Sequence, residues 1–360
     1  MKKYGILLGV MILLEVLFLA VSAPAVERHY WIAADEVMWD YAPSFPVNLM
    51  TGEEFDQEQR TFVEKGIGRI YLKAVYREYL PGFAALKPRS PEEAHLGILG
   101  PIIRAEVGDT VKVHFRNNTR FPLSIHPHGV FYDKNSEGSP YADGTILKAD
   151  DAVPPFGGTH TYIWRILPRA GPGPMDPSSI VWVYHGHTHE TADSNSGLIG
   201  PIIITRKGSA KIDGSPIDVD REFVSLFTIF DENESLYLEE NIARCTKGPC
   251  NRDDEDFKES NLKHSINGLL WGNNTGYVMR MGEHVRWYLI AMGTEVDIHT
   301  PHWHGVTVLH QGSRLDVIEL FPATTKTVDL IPDDPGNWMF HCHVNDHIKA
   351  GMMTLFTILP

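Results

Sequence analysis

Along most of this chain the apolar residues come in short runs. β-branched and aromatic side chains cluster over a few positions, and Gly, Pro, Asn and Asp break the clusters apart. Sustained helical periodicity is hard to find, so the pattern predicts short strands joined by turns and an all-β architecture. The stretch "PGNWMF" before residue 341 has turn residues followed by aromatics, which predicts a strand entering there. Successive side chains of a strand point to opposite faces. The "HCH" that follows therefore places His341 and His343 on one face and Cys342 on the other.

The pattern also repeats. "GDTVKVHFRNN" followed by "HPHG" is answered by "GEHVRWYLIAMG" followed by "HWHG". "WVYHGH" with "SGLIGPIII" is answered by "WMFHCH" with "AGMMTLFTI". Two tandem Greek-key β-sandwich domains are expected, residues 26–207 and 208–360. The join falls near "RKGSAKIDGSPIDVD", a polar stretch with glycines. Four H-x-H pairs stand at corresponding places: His126 and His128, His185 and His187, His302 and His304, His341 and His343. The copies differ elsewhere. Where the second has His299, Cys342 and Met352, the first has Leu123, Gly186 and Leu198.

That difference carries chemistry. One thiolate, two imidazoles and a weak thioether make a blue-copper electron-transfer site. Cys342, His347 and Met352 supply three of these groups, and His299 in "HTPHWHG" supplies the fourth. Zinc also takes Cys and His, but a structural zinc site explains neither the alternation nor the methionine.

Composition narrows the setting. The 360 residues suffice for two domains. The formal charge of −14 argues against nucleic acid or an anionic membrane as partner and favours small cations. Residues 1–25 have a basic start, an apolar core and small residues near Ala23 and Ala25, which reads as a secretory signal. No later stretch is long and apolar enough to span a bilayer, so a secreted, extracellular, soluble protein is expected. Cys245 and Cys250 in "CTKGPC" suit a small local disulfide in that compartment, two free thiols being the alternative. Sequons at Asn117, Asn233 and Asn273 fit surface glycosylation.

The motifs H-x-H-G, H-x-H, H-x-x-H-x-H-G and H-C-H-x-x-x-H-x-x-x-x-M, in that order, resemble those of the multicopper oxidases. Within that family the chain resembles the ceruloplasmin- and hephaestin-like branch, in "HYWIAADEVMWDYAP", "DENESLYLEENI", "SINGLLWGN" and "PGNWMFHCHVNDHIKAGM". The resemblance implies cupredoxin-like domains and three kinds of copper. Type 1 copper would take His299, Cys342, His347 and Met352, and type 2 copper His126 and His302. One type 3 copper would take His128, His185 and His343, and the other His187, His304 and His341. Electrons would enter at type 1 and pass through Cys342 and its neighbours His341 and His343 to the cluster, where dioxygen becomes water. All twelve copper ligands are present, which separates this chain from coagulation-factor-like scaffolds that share the architecture without catalysis. A two-domain nitrite reductase would not require four H-x-H pairs.

The same branch has an acidic iron site beside type 1 copper. Here it would be Glu259, His264, Asp346 and Glu295, which makes Fe(II) the expected donor and Asp346 its route to His347. Oxygen-rich ligands with one imidazole suit Fe(II) and then Fe(III). A laccase-like oxidase of phenols or aromatic amines would share the copper ligands and lack this site. A loop resembling a calcium site would use Asp150 and Asp151 with the carbonyls of Lys134 and Leu147. By analogy with a six-domain ring, three copies of this two-domain chain would close as a homotrimer, with the cluster shared between subunits. His29, His95, His114, His160, His189, His284 and His310 match no motif and read as ordinary surface or core residues.

Overall fold

A computed structural model of the chain describes residues 25–145, 149–245, 250–294 and 297–360. The expected signal segment lies outside these residues apart from Ala25. So do Leu147 of the calcium set and Glu295 of the iron set.

Each half is a pair of curled sheets. In the first half, one sheet runs Ile70–Tyr79, Glu27–Asp40, Thr110–Asn117, Gly158–Arg165. The facing sheet runs Ile103–Glu106, Ile199–Thr205, Ser179–His185, His126–Pro127. In the second half, Leu262–Ile266, Arg221–Asp231, Val285–Ala291 and Thr325–Leu330 continue into a short hairpin, Val308–His310 with Ser313–Leu315. Facing them are Val278–Arg280, Met353–Leu359, Gly336–Cys342 and Pro301–Trp303. Both halves mix parallel and antiparallel neighbours in the same places. Glu27–Asp40 runs parallel to Thr110–Asn117, as Arg221–Asp231 does to Val285–Ala291. The all-β, cupredoxin-like expectation holds.

Sequence alternation explains the layers. In Thr110–Asn117, Val111, Val113 and Phe115 are fully buried, and the residues between them face outward. Arg221–Asp231 reads as a near-continuous apolar run because both of its faces are covered. Phe223, Phe227 and Ile229 enter the core of the second sandwich. Val224, Leu226 and Phe230 turn the other way, against Val181, Val183, Ile199 and Ile203 of the first half. The two halves thus share an apolar seam. A buried ion pair, Lys73 with Glu232, lies in the same region, where Tyr41 Oη also donates to Glu232 Oε1.

Cys245 and Cys250 form the disulfide. No helix among the described residues is long and apolar enough to cross a membrane. One expectation is corrected. Asn117 is fully buried, and its Nδ2 donates to the carbonyls of Phe121 at 2.7 Å and Val153 at 2.9 Å. It is a structural amide at a strand end, not a surface glycosylation acceptor.

Candidate metal centres

The thiolate group forms where the strand Gly336–Cys342 ends, the helix Asn345–Lys349 turns, and the strand Met353–Leu359 begins. Two backbone hydrogen bonds close this loop: Cys342 N to Met352 O at 3.1 Å, and Met352 N to His347 O at 2.9 Å. His347 and Met352 are thereby carried back beside Cys342. His299 arrives from the segment before Pro301–Trp303, which is held by exchange with Leu320. All four residues are buried, at 5% exposure or less.

The geometry suits a metal. His299 Nδ1 lies 3.2 Å from His347 Nδ1. Cys342 Sγ lies 3.5 Å from His347 Nδ1 and 4.0 Å from His299 Nδ1. Donors about 2.0–2.3 Å from a common ion are spaced by roughly 3.3–3.7 Å, so these three surround a place for one ion after shifts of about 0.1–0.3 Å. Burial pushes the Cys342 thiol up, but the hydrogen bonds to His299 and His347 outweigh it and bring the pKa down to about 6. Thr300 N also donates to Sγ at 3.4 Å. A thiolate with two imidazoles and a buried methionine is the donor set that copper prefers and zinc does not need.

Sequence reasoning missed Asp297. Its Oδ1 lies 3.4 Å from His299 Nε2 and accepts from Ile229 N at 2.8 Å, while Oδ2 accepts from Thr294 N at 2.8 Å. At this distance no hydrogen bond is formed, since His299 Nε2 is without a partner, but a small turn of the ring would bring it onto a carboxylate already locked in place, the kind of group that sets the tautomer and plane of a ligating imidazole. The "DIH" spacing hints at it only once His299 is known to be a ligand.

The eight paired histidines gather in two sets. In the second half His302 and His341 are cross-strand partners. His302 Nδ1 and His304 Nε2 lie 3.2 and 3.1 Å from His341 Nε2. His343 joins by ring contacts with His302 and His341, each at 5.4 Å. In the first half His126 pairs with His185 in the same way. There His128 Nε2 lies 3.0 Å from His185 Nε2, and the His126 and His187 rings are 4.9 Å apart. Backbone carbonyls fix several tautomers. Nδ1 donates to the next carbonyl in His185 and His341, and to Glu137 O in His126. Nε2 is left bare to face its neighbour. Burial keeps three of these rings neutral: the pKa falls to about 4 in His128 and His341 and about 3 in His185. Neutral imidazoles are what a metal requires. Among the described residues, no ring contact or hydrogen bond joins one set to the other.

The iron and calcium sets are less gathered. Glu259 and Asp346 are exposed, whereas His264 is buried with its ring 5.4 Å from that of His347. The ligand atoms of these three do not come within 4.8 Å of one another. His264 Nδ1 nonetheless has no hydrogen-bond partner. Asp150 Oδ2 is engaged by the amides of Glu137 and Gly138, at 3.1 and 3.0 Å, and acts as a loop clamp. Asp151 is buried beside it, and the Lys134 ammonium is engaged by Glu137 at 2.5 Å.

Residues 96–209 and 249–360 each match a family profile described as multicopper oxidase. The chain belongs to the multicopper oxidase family. Among curated relatives it is similar to the mouse protein named Ferroxidase HEPHL1, 43% identical over 97% of this chain and 31% of that one. It is 44% identical to mouse hephaestin over 92% of this chain and 29% of that one, and 45% identical to rat ceruloplasmin over 92% and 32%. The chain therefore spans about a third of the length of these relatives. Among solved structures, one titled crystal structure of multicopper oxidase superposes with a TM-score of 0.59 at 20% identity, covering 92% of this chain and 89% of that one. A blue copper oxidase from Nitrosomonas europaea gives 0.59 at 19% identity. These two show the fold of the multicopper oxidase alone.

Proposed function

We propose that the chain is a secreted, copper-dependent ferroxidase, oxidising Fe(II) and reducing dioxygen to water. The observation that carries the oxidase reading is the position of Cys342. It belongs to a buried thiolate–imidazole group, while its neighbours His341 and His343 face the histidine set on the other side of the strand. Copper bound in both places would supply one-electron chemistry at the thiolate and four-electron reduction of dioxygen at the histidines.

The protein groups prepare that chemistry. Cys342 is ready as a thiolate near neutral pH, Thr300 N donates to Sγ, and the Asp297 carboxylate stands opposite His299 Nε2. His341 Nδ1–H donates to Cys342 O at 2.7 Å, a second link between the two centres beside the covalent one. Type 1 copper is assigned to His299, Cys342, His347 and Met352, type 2 to His126 and His302, and type 3 to the remaining six paired histidines.

Because the two sets of four do not meet within one chain, the cluster would form between chains, head to tail, in a homotrimer. Mixing two inactive variants tests this. His128→Ala with His185→Ala disables one half-site, and His302→Ala with His341→Ala disables the other. Random mixed trimers would have about a quarter of their interfaces intact, so activity should return to roughly that fraction. Persistent inactivity after verified subunit exchange would overturn the shared cluster.

Iron is assigned as donor from Glu259, His264 and Asp346, with Glu295 completing the set, and from the names of the relatives. Asp346 adjoins His347 and gives a donor held there a covalent route inward. Replacing Glu259 and His264 by Ala should depress Fe(II) oxidation sharply while oxidation of an aromatic diamine survives. The wide spacing of Glu259, His264 and Asp346 keeps a laccase-like oxidase, which needs no acidic site, as the alternative. Unchanged Fe(II) oxidation in that variant would select it.

A further inference from the structure

On the outer face of the first sandwich, far in sequence from most of the copper ligands, two imidazoles of adjacent strands meet. His29 Nδ1 lies 2.9 Å from His114 Nε2. The two strands are parallel, and Trp31 is the direct cross-strand partner of His114. His29 is a diagonal neighbour on the same face, so sheet geometry itself brings the rings together.

Elsewhere among the described residues, imidazole nitrogens face each other this closely only at the candidate copper centres. Those spacings are 3.0 Å for His128 and His185, 3.1 and 3.2 Å around His341, and 3.2 Å for His299 and His347. The outer nitrogens are also arranged as in a ligand pair. His29 Nε2 donates to Glu27 Oε1 at 2.9 Å. A carboxylate only accepts, so His29 Nδ1 is left as a bare lone pair aimed at its neighbour. His114 Nδ1 lies 3.2 Å from Thr161 Oγ1, a hydroxyl that can accept its proton and free Nε2. The second oxygen of Glu27 is held by Lys112 at 2.8 Å, which fixes the carboxylate as an orienting group beside the ring. The site is open: His29 is 36% exposed.

We propose that His29 and His114 form a separate surface site for one divalent transition metal, Cu(II) being the best fit, with water completing the shell. Two neutral imidazoles suit Cu(II), Ni(II) and Zn(II), and Cu(II) binds most tightly at a given nitrogen site. The proposal is independent of the type 1, 2 and 3 assignments. Without metal, the same pair closes as an ordinary hydrogen bond, His114 Nε2–H to His29 Nδ1 with Thr161 donating. Trp31 stacks on His114 at 4.8 Å and on His29 at 5.7 Å, so it reports on occupancy.

The test titrates the copper-loaded, desalted protein with Cu(II), following tryptophan emission and the electron paramagnetic resonance signal and counting bound copper by dialysis. The wild type should take up one more Cu(II) per chain than His29→Gln with His114→Gln. It should also show a new two-nitrogen signal and quenched emission. Trp31→Phe should keep the extra ion and lose most of the quenching. Neither variant should change the blue absorbance, because His29, Trp31 and His114 belong to none of the copper sets. Equal uptake by wild type and the double variant, or no two-nitrogen signal in the wild type, would overturn the proposal and leave the simple hydrogen bond.

Discussion

Cys342 and Gly186 occupy the same place in two copies of one turn, and the backbone around them is nearly the same. Gly186 N donates to Leu198 O at 3.0 Å where Cys342 N donates to Met352 O at 3.1 Å. Leu198 N reaches Asp193 O at 3.2 Å where Met352 N reaches His347 O at 2.9 Å. The flanking histidines also match, since His185 and His341 each donate Nδ1–H to the carbonyl of the residue that follows. Only the side chains in the centre differ. In the first half the place of His347 is taken by Asp193, a fully buried carboxylate that accepts from His189 N at 3.1 Å. A Cβ on Gly186 would lie 2.7 Å from Asp193 Cβ. The carboxylate fills the space where a thiolate and its metal would sit. The paired histidines are thus common to both halves, and on the proposed assignment four side chains would decide whether the turn also becomes an electron-transfer centre.

The largest effect should come from breaking the difference directly. Cys342→Ser should abolish the blue absorbance and bring turnover to background while circular dichroism stays native, because the thiolate is removed from a site that its backbone still closes. The reverse change should not create colour. Gly186→Cys introduces a thiol against Asp193 with Leu123 and Leu198 where ligands are needed, and overpacking of this kind costs about 1–3 kcal/mol. A blue Gly186→Cys protein would show that the first half retains a usable site.

Next in size is Asp297, which has no counterpart role in the first half. Asp297→Asn keeps the bulk but weakens the orientation of His299. Removal of such a supporting carboxylate typically costs about 10–100-fold in metal affinity. Copper retention against a chelator should fall by that amount at type 1, with the histidine sets unaffected. Uniform loss at all centres would mean that Asp297 supports the fold, not the ligand.

The two halves should also respond to pH with opposite sign when metal-free. Burial raises Asp193 to about 7, so the folded state holds a proton that the unfolded chain has released above its usual value near 4. That contribution is full below pH 4 and lost as pH rises through 7. In Cys342 burial raises the pKa, but the bonds from His299 and His347 prevail and lower it to about 6. Its contribution is full above the usual thiol value near 9 and lost as pH falls through 6. Each is on the order of a few kcal/mol. Melting curves of the metal-free protein should flatten in the acid window with Asp193→Asn, and in the alkaline window with Cys342→Ser. Identical pH profiles for the two variants would erase the contrast.

Much of this comparison was legible in the chain. Short apolar runs gave strands, the repeat gave two halves, and the alternation in "HCH" placed Cys342 opposite His341 and His343. Asp193 and Asp297 were not legible, because a buried carboxylate that braces a loop needs no motif and its partners are backbone amides. The sequon at Asn117 misled for a related reason. Its triplet says nothing of burial, and the amide closes a loop between Phe121 and Val153. Glu259, His264 and Asp346 belong to separate segments whose approach depends on packing, and the structure leaves two of them at the surface.

The smallest effect sharpens the comparison at its hinge. Gly197 precedes Leu198 with φ +110°, and Gly351 precedes Met352 with φ +117°. L side chains rarely adopt that region, so alanine at either costs about 1–3 kcal/mol. The surroundings differ. A Cβ at Gly197 would lie 2.9 Å from the Ala74 carbonyl, and one at Gly351 would lie 3.0 Å from the Trp271 ring. Gly197→Ala should lower the melting temperature and leave the spectrum alone, since Leu198 binds nothing. Gly351→Ala should lower it by a similar amount and also shift the blue band, because the strain falls on the residue next to the thioether. If Gly351→Ala changes only stability, Met352 does not control the type 1 centre, and the two turns are more alike than their side chains suggest.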